Sequence, residues 1–257
     1  MSKRRKKEKN NLVSNIILVI ALCVFVYAGY NLYVIFSEYG EGTKEYNAIK
    51  ESVVIETQEE VEGEKILQID FAQLSSINSD IVGWIDFDKL DISYPVVRGQ
   101  DNAKYLKTTF EGKQNSSGTL FVDYQYNGDF KDSNTFIYGH NMKNGSMFGK
   151  LRKFKSAEFL QENPNFYIYT PDGMKATYKI FAVSIVEDGS EIYNKYYATE
   201  EEFLDYQNYV MGKAMQKASA DLNSQSRIVS LSTCTNRTET ERLVVQGVLV
   251  EQKQVVQ

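Results

Sequence analysis

Three residues far apart in the chain have the types needed for nucleophilic acyl transfer. Among 257 residues there is one histidine, His140, in the run Phe136-Ile-Tyr-Gly-His140-Asn-Met. Of the two cysteines, Cys23 lies in a long apolar stretch and Cys234 ends the run Arg227-Ile-Val-Ser-Leu-Ser-Thr-Cys234. Arg242 opens the last apolar run, Arg242-Leu-Val-Val-Gln-Gly-Val-Leu-Val250. A thiol nucleophile needs a partner that protonates the departing group, and His140 is the sole imidazole available. Charge developing on a carbonyl oxygen needs a fixed donor, which a guanidinium supplies without losing its proton. Taken singly, each residue has a plainer reading: a structural histidine, a small buried hydrophobe, a solvated charge before a strand. With His ahead of Cys in the chain, the order is not papain-like. One His and one thiol outside the apolar stretch cannot make a zinc set, and the acids lack calcium-loop spacing. No glycine motif that would cradle a phosphate is present, so no metal or cofactor is expected.

These residues sit at the ends of strand-like runs. Such runs occur at Val82–Ile85, Ile92–Val97, Thr119–Asp123, Thr135–Tyr138, Phe166–Tyr169, Ala176–Val186, Arg227–Cys234 and Leu243–Val250. Pro171-Asp-Gly173 is a turn signal that predicts a hairpin between two of them. Asp70, with Gln73 three residues on, predicts a short helix to Asn78, and Thr199-x-x-Glu202 is a capping box that opens a longer one. The pattern predicts a mainly β, α+β domain, a closed barrel of about eight strands with a long helix inserted before the cysteine strand. An open sandwich fits the strand count nearly as well. If the last two strands pair as a hairpin, Cys234 and Arg242 fall at one end of the sheet.

Charge separates the N-terminus from the rest. Residues 1–9 carry six bases and one acid, so the formal net charge of -5 leaves the remaining chain at -10. An acidic body argues against nucleic-acid binding. Residues 10–37 contain no formal charge, long enough as a helix to exceed a bilayer core of about 30 Å. The flanking charges predict a cytoplasmic tip (1–9), a transmembrane signal anchor (10–37) and an exported body. Two other readings are a signal peptide cleaved near Val26-Tyr27-Ala28 and a buried core helix. Residues 38–65, with nine Glu and three Lys, read as an acidic juxtamembrane spacer or helix, with the folded domain expected at 66–257.

The chain resembles the sortases, membrane-anchored cysteine transpeptidases of Gram-positive surfaces, and among them class B. The likeness runs over about residues 66–251. It rests on Asn78-Ser-Asp-Ile-Val-Gly-Trp84-Ile, Tyr94-Pro-Val-Val, Asp101-Asn-Ala-Lys-Tyr-Leu106, Gly118-Thr-Leu-Phe-Val-Asp123, Tyr138-Gly-His140 with Met147-Phe-Gly149, and Leu231-Ser-Thr-Cys234. The long helix after residue 199 is similar to class B rather than class A members. The resemblance implies Cys234 as nucleophile, His140 as general acid then base, and Arg242 as oxyanion and substrate-positioning residue. It also implies that Asn102, Leu106, Tyr138 and Ser232 line the substrate groove. The loop from Cys234 to Arg242 is shorter than in some class B members, which keeps Arg237 as a rival for the arginine role.

The implied reaction cleaves a C-terminal sorting signal after Thr and transfers the surface protein to an amino group of the lipid-linked peptidoglycan precursor. Free thiols and imidazoles titrate near 8.5 and 6.5, so an isolated pair holds roughly 1% as thiolate and imidazolium. A close ion pair would raise that fraction, but the resemblance implies that the family works with the minority form, and a slow enzyme with a bell-shaped pH profile is expected from it. Two readings compete: a membrane-tethered binding or scaffold module with an incidental thiol, and a cysteine peptidase that uses water as acceptor.

Overall fold

The computed structural model has a long N-terminal helix ahead of a mainly β body. It describes the backbone of residues 2–61 and 64–255, and the side chains of 12–55 and 66–255. The side chains of the basic tip, and those of 56–65 in the expected spacer, lie outside the described residues. Helix α1 (Ser2–Val53) leads into strands β1 (Val54–Val61) and β2 (Glu64–Ile69), an antiparallel pair. Helix α2 (Phe71–Ile77) starts where predicted, with the Asp70 carboxylate accepting from the Gln73 amide at 2.8 Å.

The barrel strands follow: β3 (Ile81–Phe87), β4 (Ile92–Val97), β5 (Leu120–Val122) and β6 (Asn134–Tyr138). After helix α3 (Ala157–Glu162) come β7 (Asn165–Tyr169) and β8 (Met174–Glu187), then helix α4 (Glu200–Lys213) and the two-residue strand β9 (Gln216–Lys217). Strands β10 (Ile228–Cys234) and β11 (Glu241–Gln254) complete the fold. Pairing runs β11-β10-β6-β5-β4-β3-β7-β8, and β8 pairs with β11 to close a ring of eight, with β9 appended to β8. This is the closed barrel expected, and closure removes the exposed edges an open sandwich would leave.

Local chemistry explains the connections. Gly173 takes a φ of +78°, closed to most side chains, and its amide donates to the Thr170 carbonyl at 2.9 Å to turn β7 into β8. Thr199 caps α4 by accepting from the Glu202 amide, while Glu202 reaches back to the Ala198 amide. Trp84 is fully buried and its indole N–H donates to the Ser93 hydroxyl at 2.9 Å. A buried polar network joins three neighbouring strands to α4. Asn134 of β6 donates to the Tyr206 hydroxyl at 2.7 Å and accepts from Ser230 of β10 at 2.7 Å. Gln246 of β11 donates to both Ser230 and Tyr206, at 2.9 and 3.0 Å. With such partners, a register slip would strand buried polar groups, so the network specifies how β6, β10 and β11 align.

The chain falls into two compact units, Met1–Glu41 and Gly42–Gln257. In the first unit the apolar side chains from Leu12 to Phe36 are exposed, and the helix is long and apolar enough to cross a membrane. The second unit begins earlier than the composition change at Ile66 suggests. Tyr46, Ile49 and Val53 are 4%, 2% and 2% exposed, so the last turns of α1 belong to the packed domain rather than to a solvated spacer.

Candidate active site

The strand register brings the three predicted chemical residues to one edge of the barrel. β6 and β10 are parallel, with Ser232 opposite Tyr138, so both chains leave the sheet in the same direction. His140 lies two residues beyond Tyr138, and Cys234 two residues beyond Ser232. β10 and β11 are antiparallel with Cys234 directly opposite Arg242. Six of seven β10 residues are buried; Cys234, the last, is half-buried and free.

A cleft of about 520 Å³ opens at this edge. It is lined by Cys234, His140 and Arg242, and by all four expected groove residues, Asn102, Leu106, Tyr138 and Ser232. Arg237 points elsewhere: it is exposed and 3.9 Å from the Glu241 carboxylate. Among the described residues no hydrogen bond joins Cys234 to His140; both line the same cleft.

Backbone carbonyls orient the site. His140 Nε2 lies 2.7 Å from the Leu106 carbonyl oxygen. A carbonyl only accepts, so Nε2 carries the hydrogen and Nδ1 of the neutral ring keeps its lone pair. Arg242 donates from one terminal nitrogen to the Glu239 carbonyl at 2.7 Å and from the other to Asp188 at 3.2 Å. Asp188 is held just past β8 by its amide, which donates to the Thr240 carbonyl at 2.9 Å. Asn102 fixes the groove wall by accepting from the Tyr124 amide at 3.0 Å.

Other residues of the site carried weaker sequence signals. Asn141 donates to the Cys234 carbonyl at 2.8 Å, and Asn236 donates to the Asn141 carbonyl at 3.2 Å, so two amides lace the histidine loop to the cysteine strand end. Asn141 adjoins the only histidine, which was the available clue. Under the cleft, fully buried Asp123 pairs with Lys195 and accepts from the Tyr138 hydroxyl at 3.1 Å. Burial, then the charge on Asp123, pushes the Tyr138 phenol well up. Tyr193 is 2.7 Å from the Ser232 hydroxyl and burial raises its phenol to about 12. Neither Lys195 nor Tyr193 stands at a spacing that relates it to the cleft; only the fold does.

A barrel edge with a free thiol, an imidazole and a guanidinium in one cleft defines a cysteine acyl-transfer enzyme by type. Comparison with known proteins gives the family. A family model, the Sortase domain, matches residues 85–250. Sortase B of Listeria monocytogenes is 30% identical over 254 residues, covering 95% of this chain and 99% of that protein. The crystal structure of Clostridium perfringens sortase B aligns with a TM-score of 0.67 at 33% identity, covering 71% of this chain and all of that one. The Bacillus anthracis sortase B structure aligns at 0.72 and 31%, covering 84% and 100%. The chain belongs to the sortase family, and these relatives put it in class B. It is therefore a cysteine transpeptidase, of a family that acts on surface proteins and peptidoglycan precursors, and its apolar N-terminal helix is compatible with a membrane anchor.

Proposed function

We propose that the chain cleaves a C-terminal sorting signal after Thr and joins the surface protein to an amino group of the peptidoglycan precursor. The observation that carries this reading is the convergence of Cys234, His140 and Arg242, from three strand ends, on one cleft. The thiol proton passes to His140 Nδ1, and the thiolate attacks the Thr carbonyl carbon. Arg242 donates to the oxyanion. Collapse breaks the C–N bond as the imidazolium gives its proton to the departing amine, leaving a thioacyl enzyme. The acceptor amine then attacks the thioester, its proton goes to Nδ1, and the C–S bond breaks to return the thiolate. Asn102, Leu106, Tyr138 and Ser232 bind the signal along the groove.

Residues 10–37 serve as the anchor, with the basic tip in the cytoplasm and the catalytic unit outside. The deciding experiment incubates the full chain in detergent with a small library of sorting-signal peptides, with and without an amine acceptor. Ligated product in the presence of the amine supports transpeptidation. Acid product alone would point to a peptidase, and turnover that survives Cys234→Ala would refute the assignment.

A further inference from the structure

His140 is held by a carbonyl, and that carbonyl belongs to a segment braced by α1. Tyr46, 4% exposed, donates its hydroxyl to the Gly118 carbonyl at 2.5 Å and accepts from the Phe110 amide at 3.3 Å. The same oxygen lies 3.1 Å from the Thr119 hydroxyl. Thr119 in turn donates its amide to the Tyr105 carbonyl at 3.0 Å and its hydroxyl to the Thr108 carbonyl at 2.8 Å. Gly118, at φ +56°, sits flush against the next carbonyl: a Cβ there would lie 2.3 Å from the Tyr105 oxygen and 2.9 Å from the Leu106 oxygen. The Leu106 oxygen is the acceptor of the His140 ring.

The segment following His140 is braced by the same helix end. The Tyr46 ring meets Tyr94 edge-on at 5.4 Å, and the Tyr94 hydroxyl accepts from the Met147 amide at 3.2 Å. Met147 bridges back to Asn141, and the Phe148 amide donates to the His140 carbonyl at 3.0 Å. Asn144 reaches the Thr43 hydroxyl at 3.3 Å, one turn before Tyr46. Both chain segments that bracket the imidazole are thus tied to residues 43–46, which belong to no strand of the barrel.

We infer that the last turns of α1 are a positioning element of the active site, with Tyr46 holding the Leu106 carbonyl where it fixes the His140 ring and its tautomer. The inference rests on the reading of His140 as the acid–base group. It gives the stretch between the apolar helix and the barrel a task in turnover beyond that of a tether. Tyr46 touches no reacting atom; it acts through Gly118, Thr119 and Leu106.

Because His140 is the only histidine, its ring nitrogens are a single-residue NMR probe in the full chain in detergent. The wild-type neutral ring should carry its hydrogen on Nε2; a hydrogen on Nδ1 instead would overturn the inference before any variant is made. Tyr46→Phe, which keeps the ring and removes the hydroxyl, should give a mixture of the two tautomers. Small displacements of catalytic groups are costly, so kcat on sorting-signal peptides should fall about ten-fold, with KM changed less than about two-fold. A folded Tyr46→Phe chain with one unchanged Nε2–H tautomer would overturn the proposal. The NMR readout tests the hold of Tyr46 on the ring directly, whereas unaltered turnover in His140→Ala would overturn the functional reading and with it the role of α1 in turnover.

Discussion

The two ends of strand β10 each open into a concave surface with charged walls, but they are built differently. At the Arg227 end a cavity of about 280 Å³ is bounded by residues 128–131, by Thr170 to Asp172 and by Gln252. Its polar partners are near neighbours on adjoining strands and turns: Arg227 to Gln252 at 3.2 Å, Gln254 to the Asp172 carbonyl at 3.1 Å, Asp129 to the Lys131 amide at 3.2 Å. At the Cys234 end, side chains cross between separate segments to bind backbone: His140 to Leu106, Asn141 to Cys234, Asn236 to Asn141. Freezing such side chains costs conformational entropy, and a site that must hold three groups in fixed relation is where that cost is worth bearing. The lesson is that charged hollows and side-chain-to-backbone ties occur at both ends, the Gln254 tie to the Asp172 carbonyl included, while at the Cys234 end the ties fall on the histidine ring and on the carbonyl of the cysteine itself.

The largest contrast lies in activity. Cys234→Ala should abolish peptide cleavage, a loss of at least about 10³-fold, while Arg227→Ala at the other end should change kcat/KM by less than about two-fold. Steady-state assays of the two variants check this. If Arg227→Ala lost as much as Cys234→Ala, the distinction between the ends would fail.

Within the active end, the two arginines can be separated. Arg242→Ala should lower kcat by about 10²-fold or more, the usual cost of an oxyanion donor. Arg242→Lys should recover only part of that, because an ammonium lacks the planar fork. Arg237→Ala, on an exposed side chain outside the cleft, should stay within about two-fold. Equal losses in Arg237→Ala and Arg242→Ala would break the assignment.

Stability should differ between the ends as well. Lys195→Met would leave the Asp123 carboxylate buried without its cation, which costs about 3 kcal/mol in urea unfolding of the full chain. Asp172→Asn, on the exposed turn at the opposite end, should cost less than about 0.5 kcal/mol. Similar midpoints for the two variants would mean that the ion pair under the cleft contributes little.

The strands were legible because alternating and β-branched runs with turn residues between them are local signals; Pro171-Asp-Gly173 and Thr199-x-x-Glu202 worked for the same reason. His140, Cys234 and Arg242 were legible as types at strand ends, and the register Cys234 opposite Arg242 follows from a hairpin. The buried network of Asn134, Ser230, Gln246 and Tyr206 was not, because polar residues in strands read as outward-facing until the helix covering them is known. The pairing of Asp123 with Lys195 is non-local and leaves no period. The start of the folded unit at Gly42 was masked by composition: the Glu-rich stretch reads as solvated, yet Glu45 is itself buried, accepting from the Glu111 amide at 3.1 Å and lying 3.4 Å from Lys113. The hairpin β1–β2 is rich in charged residues in sequence, so its strands went unread, although Leu67 and Ile69 of β2 are buried.

The smallest expected effect concerns buried phenols, present at both ends. Burial raises Tyr193 beside Ser232 to about 12, and burial pushes Tyr178, in the wall of the opposite cavity, up as well. A phenol with a raised folded value keeps its proton longer in the folded chain than in the unfolded one, where it titrates near 10. Its contribution is therefore complete below about pH 10 and is lost as pH rises from there toward 12. Urea midpoints of the wild type should be level up to about pH 10 and decline above it. Tyr193→Phe, which has no proton to lose, should decline less steeply over the same range, as should Tyr178→Phe. Parallel slopes for Tyr193→Phe and the wild type would mean that Tyr193 ionises in the folded chain as readily as in the unfolded one, and that the wall of the cleft beside Ser232 admits water.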